Sequence, residues 1–267
     1  KRTALVTGGA RRVGAALCLG LAEDGWHVAV HFNGSEKDAG NLVDEIRSAG
    51  GSAEAIQCDL SDAVAVTRLV SRVCGSGPPL GLLVNNAALF EGDRLESLTA
   101  ALIDKHHAVN VRAPALLSRA FSEIIDRQKK DGIVPGSDCC IVNLLDNKIF
   151  GPNPDYLSYS LTKFALHGMT QMLAMELAPD IRVASIAPGV TLPSGPQTQE
   201  EFERAQRSLM LGRGATPAQI LAAMRFILAA SAFTGQCITI DGGQVLQAIP
   251  RDIAFMGNTD IPEKEGR

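Results

Sequence analysis

The chain has two tyrosines, Tyr156 and Tyr159, and only the second has a lysine, Lys163, one helical turn later. Residues at i and i+4 share a helix face, with Cβ atoms about 5–6 Å apart. An ammonium so placed favours the phenolate, draws the tyrosine pKa down and makes the phenol a usable proton donor. Thirteen positions before Tyr159 stands Asp146, at the end of an apolar run, which brings a carboxyl to the same neighbourhood. A phenol, an ammonium and a carboxyl held together can store and deliver a proton, and their titrations are expected to be coupled. A second expectation for Asp146 is a plain cap on the loop that follows the apolar run.

These residues need a frame. Apolar, β-rich runs at Thr3–Thr7, His27–Phe32, Ala53–Cys58, Leu80–Val84, Cys139–Leu145, Arg182–Ala187 and Cys237–Ile240 read as strands. Between them lie helical patterns: from the Gly8–Gly14 turn to Asp24, Ser35–Gly50, Asp62–Cys74, Leu95–Lys130 with interruptions near Asn110 and Pro114, Tyr156–Leu177, Glu200–Leu209 and Pro217–Ala229. The segment Gly75–Pro79 is a break between elements. Strands alternating with helices imply βαβ units, right-handed crossovers and a parallel sheet covered on both faces. We therefore expect an α/β fold, a single doubly wound, Rossmann-like domain over residues 1–267 with a seven-stranded parallel sheet flanked by helices. Within it, 188–214 reads as a polar loop segment and 247–267 as a charged tail, extended or frayed.

Composition narrows the classes of function. Of 267 residues, 46% are hydrophobic and 20% charged, enough for a sizeable core and too apolar for disorder. The net charge of −4, without a long basic run, argues against a nucleic-acid surface. Six cysteines fall at no metal-ligand spacing and mostly in apolar runs, so free thiols in a reducing cytoplasm are expected, and no metal site. Cys139 and Cys140, adjacent on a strand, should point to opposite faces. No apolar run reaches membrane-spanning length and no leader is visible ahead of the first strand.

The turn between the first strand and first helix reads Thr7-Gly8-Gly9-Ala10-Arg11-Arg12-Val13-Gly14. A glycine-rich turn there offers backbone N–H groups and a positive helix end to a phosphate. Arg12 stands where the usual dinucleotide spacing has glycine; it could meet pyrophosphate or an anionic substrate edge, or be a solvated basic residue. An acid at the end of the second strand would take the ribose 2′-hydroxyl and repel a 2′-phosphate. This chain has His31-Phe32-Asn33-Gly34-Ser35 instead, which with Arg11 favours NADP(H). Asp59 and Leu60, after the third strand, are candidates for the adenine pocket, although Asp59 also suits a helix cap.

With Asn85-Asn86-Ala87-Ala88, Asn110 and Pro188-Gly189-Val190 added in order, the chain resembles the short-chain dehydrogenase/reductase family from Thr3 to about Gly243. The resemblance implies Tyr159 as acid/base, Lys163 on the nicotinamide ribose, Asn110 supporting a proton-relay water, Asn86 supporting the cofactor strand, and Pro188-Gly189 passing the nicotinamide. It also implies a lid over the substrate in the region of Leu192, Pro193, Leu209, Met210 and Leu211, and a homo-oligomer, commonly a tetramer. That fits long helices apolar on more than one face. Asp146 and Arg12 depart from the general family pattern. Both are shared with its pteridine and dihydromonapterin/dihydrofolate reductase branch, which also carries an aromatic residue where Phe90 stands. His31 and Ser35 resemble that branch's 2′-phosphate pocket. Reduction of a C=N bond needs a proton at ring nitrogen, which an Asp–Tyr pair can supply. Phe90 suits a flat heterocycle, though it equally suits packing at a strand end. The expectation is an NADPH-dependent reductase of a pterin. The alternatives are a carbonyl reductase acting on a 3-oxoacyl thioester, sugar or other ketone, and a non-catalytic NADP(H)-binding protein.

Overall fold

The computed structural model describes residues 1–75, 77–133, 139–194, 197–247 and 249–255. Seven strands form one sheet: β1 (Thr3–Val6), β2 (His27–Phe32), β3 (Ser52–Gln57), β4 (Leu80–Asn85), β5 (Cys139–Leu144), β6 (Ile181–Pro188) and β7 (Cys237–Ile240). Their order is β3-β2-β1-β4-β5-β6-β7, and every neighbouring pair is parallel. β1, β2, β4 and β5 are buried along their whole length, as continuous apolar runs in a two-sided parallel sheet should be. The expected strands are all present, each within one residue at either end.

Helices cover both faces. On one lie α1 (Arg12–Glu23), α2 (Glu36–Ser48) and α8 (Pro217–Ala229), packing Leu17, Leu42, Ile46 and Met224 against Val28, Val84 and Val142. On the other lie α3 (Ala63–Cys74), α5 (Ala113–Lys130) and α6 (Leu157–Glu176), with Leu69, Leu117, Phe121 and Ala174 against Leu5, Leu83 and Ile141. Cys139 joins the second core and Cys140 the first, on opposite faces as the strand period requires. All six cysteines are free thiols.

Local chemistry sets the helix starts. Asp62 accepts from the Val64 and Ala65 amides at the head of α3. Thr198 with Glu201, and Thr216 with Gln219, form capping boxes at α7 (Gln199–Ser208) and α8. The expected Leu95–Lys130 helix is divided. Thr99 takes an extended backbone and caps α4 (Ala100–His107), and a π-helical turn at Ala108–Arg112 joins α4 to α5. Asn110 sits in that turn, so the interruption expected there is real, while Pro114 enters the first turn of α5 without breaking it.

The topology reverses between β2–β1 and β1–β4, which opens a crevice at the carboxyl ends of the strands. The tail departs from expectation: Ile249 and Ile253 pack with Val190, Ala205 and Leu209, so 249–255 is part of the fold. Its charges suggested a solvated arm, but Arg251 and Asp252 are paired with buried partners. Residues 256–267 of the expected tail, Ser76, and Gly195 and Pro196 of the polar loop lie outside the described residues.

Gly14 belongs to the tightest approach in the crevice, where an added Cβ would strike the Gly8 carbonyl oxygen and stand 2.8 Å from Asn86 Nδ2. Gly14→Ala should lower the unfolding free energy by about 1–3 kcal/mol, as overpacking of a rigid contact does. Urea denaturation measures it, and an unchanged midpoint would mean that the turn yields freely.

Candidate active site

β5 and α6 bring the three titratable residues together. The Tyr159 hydroxyl donates to Asp146 Oδ2 at 2.9 Å, and Lys163 Nζ donates to the Leu144 carbonyl at 2.7 Å. Asp146 Oδ1 accepts from the Lys148 amide at 2.9 Å and caps the short helical turn Asn147–Ile149. One oxygen of Asp146 thus meets the phenol and the other caps the turn. Burial raises the Asp146 pKa against the opposing pull of the Lys148 amide and the lysine charges. Burial also raises Tyr159 well above the usual phenol value, and the adjacent Asp146 raises it further. Lys163 is lowered to about 8 by burial, with Asp146 working the other way.

This corrects the first expectation about the pair. The Lys163 ammonium lies 5.5 Å from the centre of the Tyr159 ring and is bonded to a carbonyl, while the charge beside the phenolic oxygen is a carboxyl. In this arrangement Tyr159 is held as the protonated phenol.

Asn110 has its side-chain amide fully engaged within the protein. Its Oδ1 accepts from the Leu89 amide at 2.8 Å, and its Nδ2 donates to the Leu89 carbonyl and to Thr162 Oγ1. With its amide so engaged, it acts on position: it ties the segment carrying Phe90 to the helix carrying Tyr159 and Lys163. The same helix starts without a cap of its own. Tyr156 precedes it with φ 58°, and Asp93, from the segment after β4, supplies the carboxylate that accepts from the Ser158 amide. Buried His106 adds a bond to Ser158 Oγ at 2.7 Å.

Along the crevice, a cavity of about 530 Å³ is lined by the Gly8–Gly14 turn, Asn86, Ala87, Ala88, Pro188, Asp146, Tyr159 and Lys163. Asn86 Nδ2 donates to the Thr7 and Gly8 carbonyls, and so supports the end of β1 and the turn that follows it. The N-terminus of α1 has no side-chain cap and no acid in its first turn. Arg11 is ion-paired with Asp38 of α2. Arg12 has φ 55° and donates to the Pro193 carbonyl at 2.8 Å, so it is neither free in solvent nor interchangeable with an ordinary turn residue.

At the end of β2 the side chains are engaged mainly by the protein itself. His31 is buried, with Nδ1 accepting from the Gly8 amide at 3.0 Å and Nε2 facing the Cys58 carbonyl at 3.0 Å. Burial lowers its pKa to about 4, so it is a neutral brace under the turn. Phe32 and Leu60 are core residues. Asp59 uses Oδ1 on Ser61, whereas Asn33 is exposed and Ser35 is half-buried at the head of α2 without capping it. Asn33 also accepts from Gln57 Nε2, through its backbone carbonyl at 3.4 Å and its side-chain oxygen at 3.5 Å.

A smaller cavity of about 150 Å³ continues past Phe90 and Asp146 toward Gly189, Val190 and Thr191. Phe90 is 39% exposed, meets Tyr159 edge-on at 4.6 Å and stacks on Tyr156 at 4.1 Å. Tyr156 stacks in turn on Phe255 at 5.6 Å. Tyr156, Lys148 and Asp252 line this cavity and were not singled out from the sequence. Adjacency to Tyr159 and Asp146 was the only local signal for the first two. Among the described residues no cluster could hold a metal, and no helix is long and apolar enough to cross a membrane.

The family model for short chain dehydrogenases matches residues 2–204. This chain belongs to the short-chain dehydrogenase family. Similar solved structures include FolM alternative dihydrofolate reductase 1 from Brucella canis complexed with NADP, at 38% identity and TM-score 0.85, covering 92% of this chain and 94% of that one. An uncharacterized oxidoreductase of Bacillus subtilis, YjdA, is 33% identical over 91% of this chain and 96% of its own. The 3-oxoacyl-[acyl-carrier-protein] reductase FabG of Staphylococcus aureus is 29% identical over 92% and 98%. The chain is a short-chain dehydrogenase-type oxidoreductase by descent.

In this dehydrogenase the depressed pKa of His31 links stability to pH. The unfolded histidine, at 6.5, takes a proton that the folded one refuses until about 4. The contribution is complete above pH 6.5 and is lost as pH falls through 4, a span worth up to about 3 kcal/mol. His31→Gln, which keeps a donor and an acceptor, should flatten the fall in urea midpoint across that window. An unchanged slope would place the titration elsewhere, for instance at His106, whose pKa burial also lowers.

Proposed function

We propose that this chain is an NADPH-dependent pteridine-type reductase that reduces a C=N bond of a pterin or dihydropterin, with Tyr159 as the proton donor. The observation that carries the reading is the Tyr159–Asp146 hydrogen bond of 2.9 Å, at the wall of the large cavity, with Asp146 lining the small one as well. The 38% identity to a dihydrofolate reductase complexed with NADP supports it.

The crevice fits a dinucleotide. The α1 N-terminus is free of side-chain caps and acids, Gly8 and Gly14 leave no room for Cβ atoms, and no carboxylate ends β2. Such a site suits an anionic pyrophosphate and tolerates a 2′-phosphate. Residues that would hold NADP(H) are Gly8, Arg12, Val13 and Gly14 at the phosphates, Asn33 and Ser35 near the ribose phosphate, and Asn86, Lys163 and Pro188 toward the nicotinamide. NADPH supplies a hydride when bound.

The chain's own groups handle the proton. Tyr159 keeps its proton because burial and Asp146 both oppose the phenolate. Asp146, raised by burial, can carry a proton itself and restore the phenol after transfer. Lys163, with a pKa near 8 and its ammonium toward the Leu144 carbonyl, balances the carboxyl. Phe90 offers a partly exposed face for stacking a flat heterocycle, and Arg12 spans the phosphate turn and the substrate loop. The reading includes residence in a reducing cytoplasm and assembly as a homotetramer. It draws on free thiols and on Leu161, Phe164, Met172 and Met175 exposed along α6.

NADPH oxidation should run with dihydrobiopterin or dihydromonapterin and be far slower with simple ketones. Comparable rates on a 3-oxoacyl thioester would favour the carbonyl reductase reading. Tyr159→Phe should lower kcat by about 10²–10⁴-fold while NADPH binding, followed by fluorescence, persists. Asp146→Asn keeps the cap but removes the acid, and should reduce pterin kcat by at least about ten-fold. Undiminished pterin turnover in Asp146→Asn would leave the aspartate a cap alone.

A further inference from the structure

The small cavity beside Phe90 is closed at its far side by the chain's own segment 249–255. Asp252, Ile253 and Ala254 line it, opposite Lys148 and Tyr156. Lys148 is only 5% exposed. Its Nζ donates to Asp252 Oδ2 and, at 3.2 Å, to Asn153 Oδ1, and lies 5.5 Å from the centre of the Tyr156 ring. A second set of contacts holds the same segment. Buried Asp155, just ahead of Tyr156, accepts from Arg251 Nε at 2.7 Å and from the Asp252 amide at 2.8 Å. Ile253 is seated in the apolar cluster with Ala205 and Leu209, and Phe255 lies on Tyr156. None of these side chains is hydrogen-bonded to Tyr159 or to the Asp146 carboxyl, and Lys148 and Asp252 act on that pair only at a distance, through charge; yet they bury two charges at the wall of the site, which is costly unless both are paired.

We propose that the Lys148–Asp252 ion pair fixes the depth of the substrate cavity and that these two residues determine specificity by the length of the substrate's substituent. The proposal rests on the pterin reading. A cavity of about 150 Å³ is near the size that holds one small ring. The stacking face of Phe90 borders both cavities, so a ring placed against it leaves the smaller one for its substituent. That space takes a short chain, and Thr191, Gln197 and Asn147 on its wall suit hydroxyl groups. An arylamide tail running the same way meets Asp252 and Ile253. Its entry requires withdrawal of a segment held by two buried acidic contacts, so the discrimination is steric and rests on the latch.

The test compares 7,8-dihydrobiopterin with 7,8-dihydrofolate, which share a ring and differ in the substituent, as NADPH-dependent substrates. The native chain should favour dihydrobiopterin in kcat/KM by about ten-fold or more. Lys148→Ala/Asp252→Ala removes both charges together, leaving none buried alone, and trims the wall. The preference should then shrink at least about five-fold, through a lower KM for dihydrofolate. Asp252→Ala alone should shift it the same way, and competitive binding of folic acid to the NADP complex reads the effect without turnover. Equal use of both substrates by the native chain, or an unaltered ratio in the folded double variant, overturns the role of the pair while leaving the pterin reading intact. Absence of turnover and binding with either compound removes the pterin reading, and the subsite with it.

Discussion

Tyr159 and Lys163 are buried and Asp146 is half-buried beside them, and desolvation works against the charged form of each. Ions taken from water cost several kcal/mol apiece unless their hydrogen-bonding positions are filled. Here they are filled from two elements only. The end of β5 presents the Leu144 carbonyl to Lys163 and the Asp146 carboxyl to Tyr159, and the turn after it returns the Lys148 amide to Asp146. The register between β5 and α6 is therefore the dimension that the site cannot vary. One residue of slip would leave an ammonium without an acceptor in the interior.

That constraint explains the supports around α6. A helix usually takes its cap from the residue before it. α6 is preceded by a left-handed tyrosine and takes its cap from Asp93, which also bonds Tyr156 through its carbonyl. Ser158 is held again by His106, and Thr162 by Asn110 from the π-helical turn. Bonds from the segment after β4, from α4 and from the turn ahead of α5 thus converge on the first two turns of α6. They fix its rotation as well as its position, and Asn110 carries Leu89, next to Phe90, along with them. The polar chemistry and the stacking surface are set by one network.

How much of this was legible in the sequence followed the range of the interaction. The strands and most helices rest on local patterns: unbroken apolar runs and threonine caps three residues ahead of a Glu or Gln. They emerged within one residue for the strands. The dinucleotide crevice and the Tyr159–Asp146 pairing were legible because a βαβ repeat fixes where strand ends lie. The bracing role of His31 was not legible because its partners, Gly8 and Cys58, are 23 and 27 positions away, and nothing nearby shows that both ring nitrogens are engaged. The tail was misread for the same reason. Lys148–Asp252 and Asp155–Arg251 join residues 104 and 96 positions apart, and charges near a chain end resemble a solvated arm when seen alone. The division of the Leu95–Lys130 helix lay between: Asn110 signalled an interruption, but Thr99 serves as a cap only once α4 is turned toward α6.

Two non-glycine residues among those described hold a left-handed backbone, Arg12 and Tyr156. Each such conformation costs roughly 1–2 kcal/mol for an L-residue, and glycine would avoid it. Both stand at helix starts facing the small cavity. In each case the side chain does what glycine could not. Arg12 reaches from the glycine-rich turn to the Pro193 carbonyl and so joins that turn to the loop after β6. Tyr156 fills the stack between Phe90 and Phe255 and so joins the stacking surface to the closing segment. The strain therefore falls where the site needs a bridge between otherwise separate parts of the chain. Tight turns elsewhere, at Gly25, Gly50 and Gly132, carry the same backbone sign on glycine, with no side chain and no bridging role. Replacing Arg12 or Tyr156 by glycine would relax the backbone and detach one wall of the substrate cavity from its support, so backbone strain and substrate enclosure are coupled at these two positions.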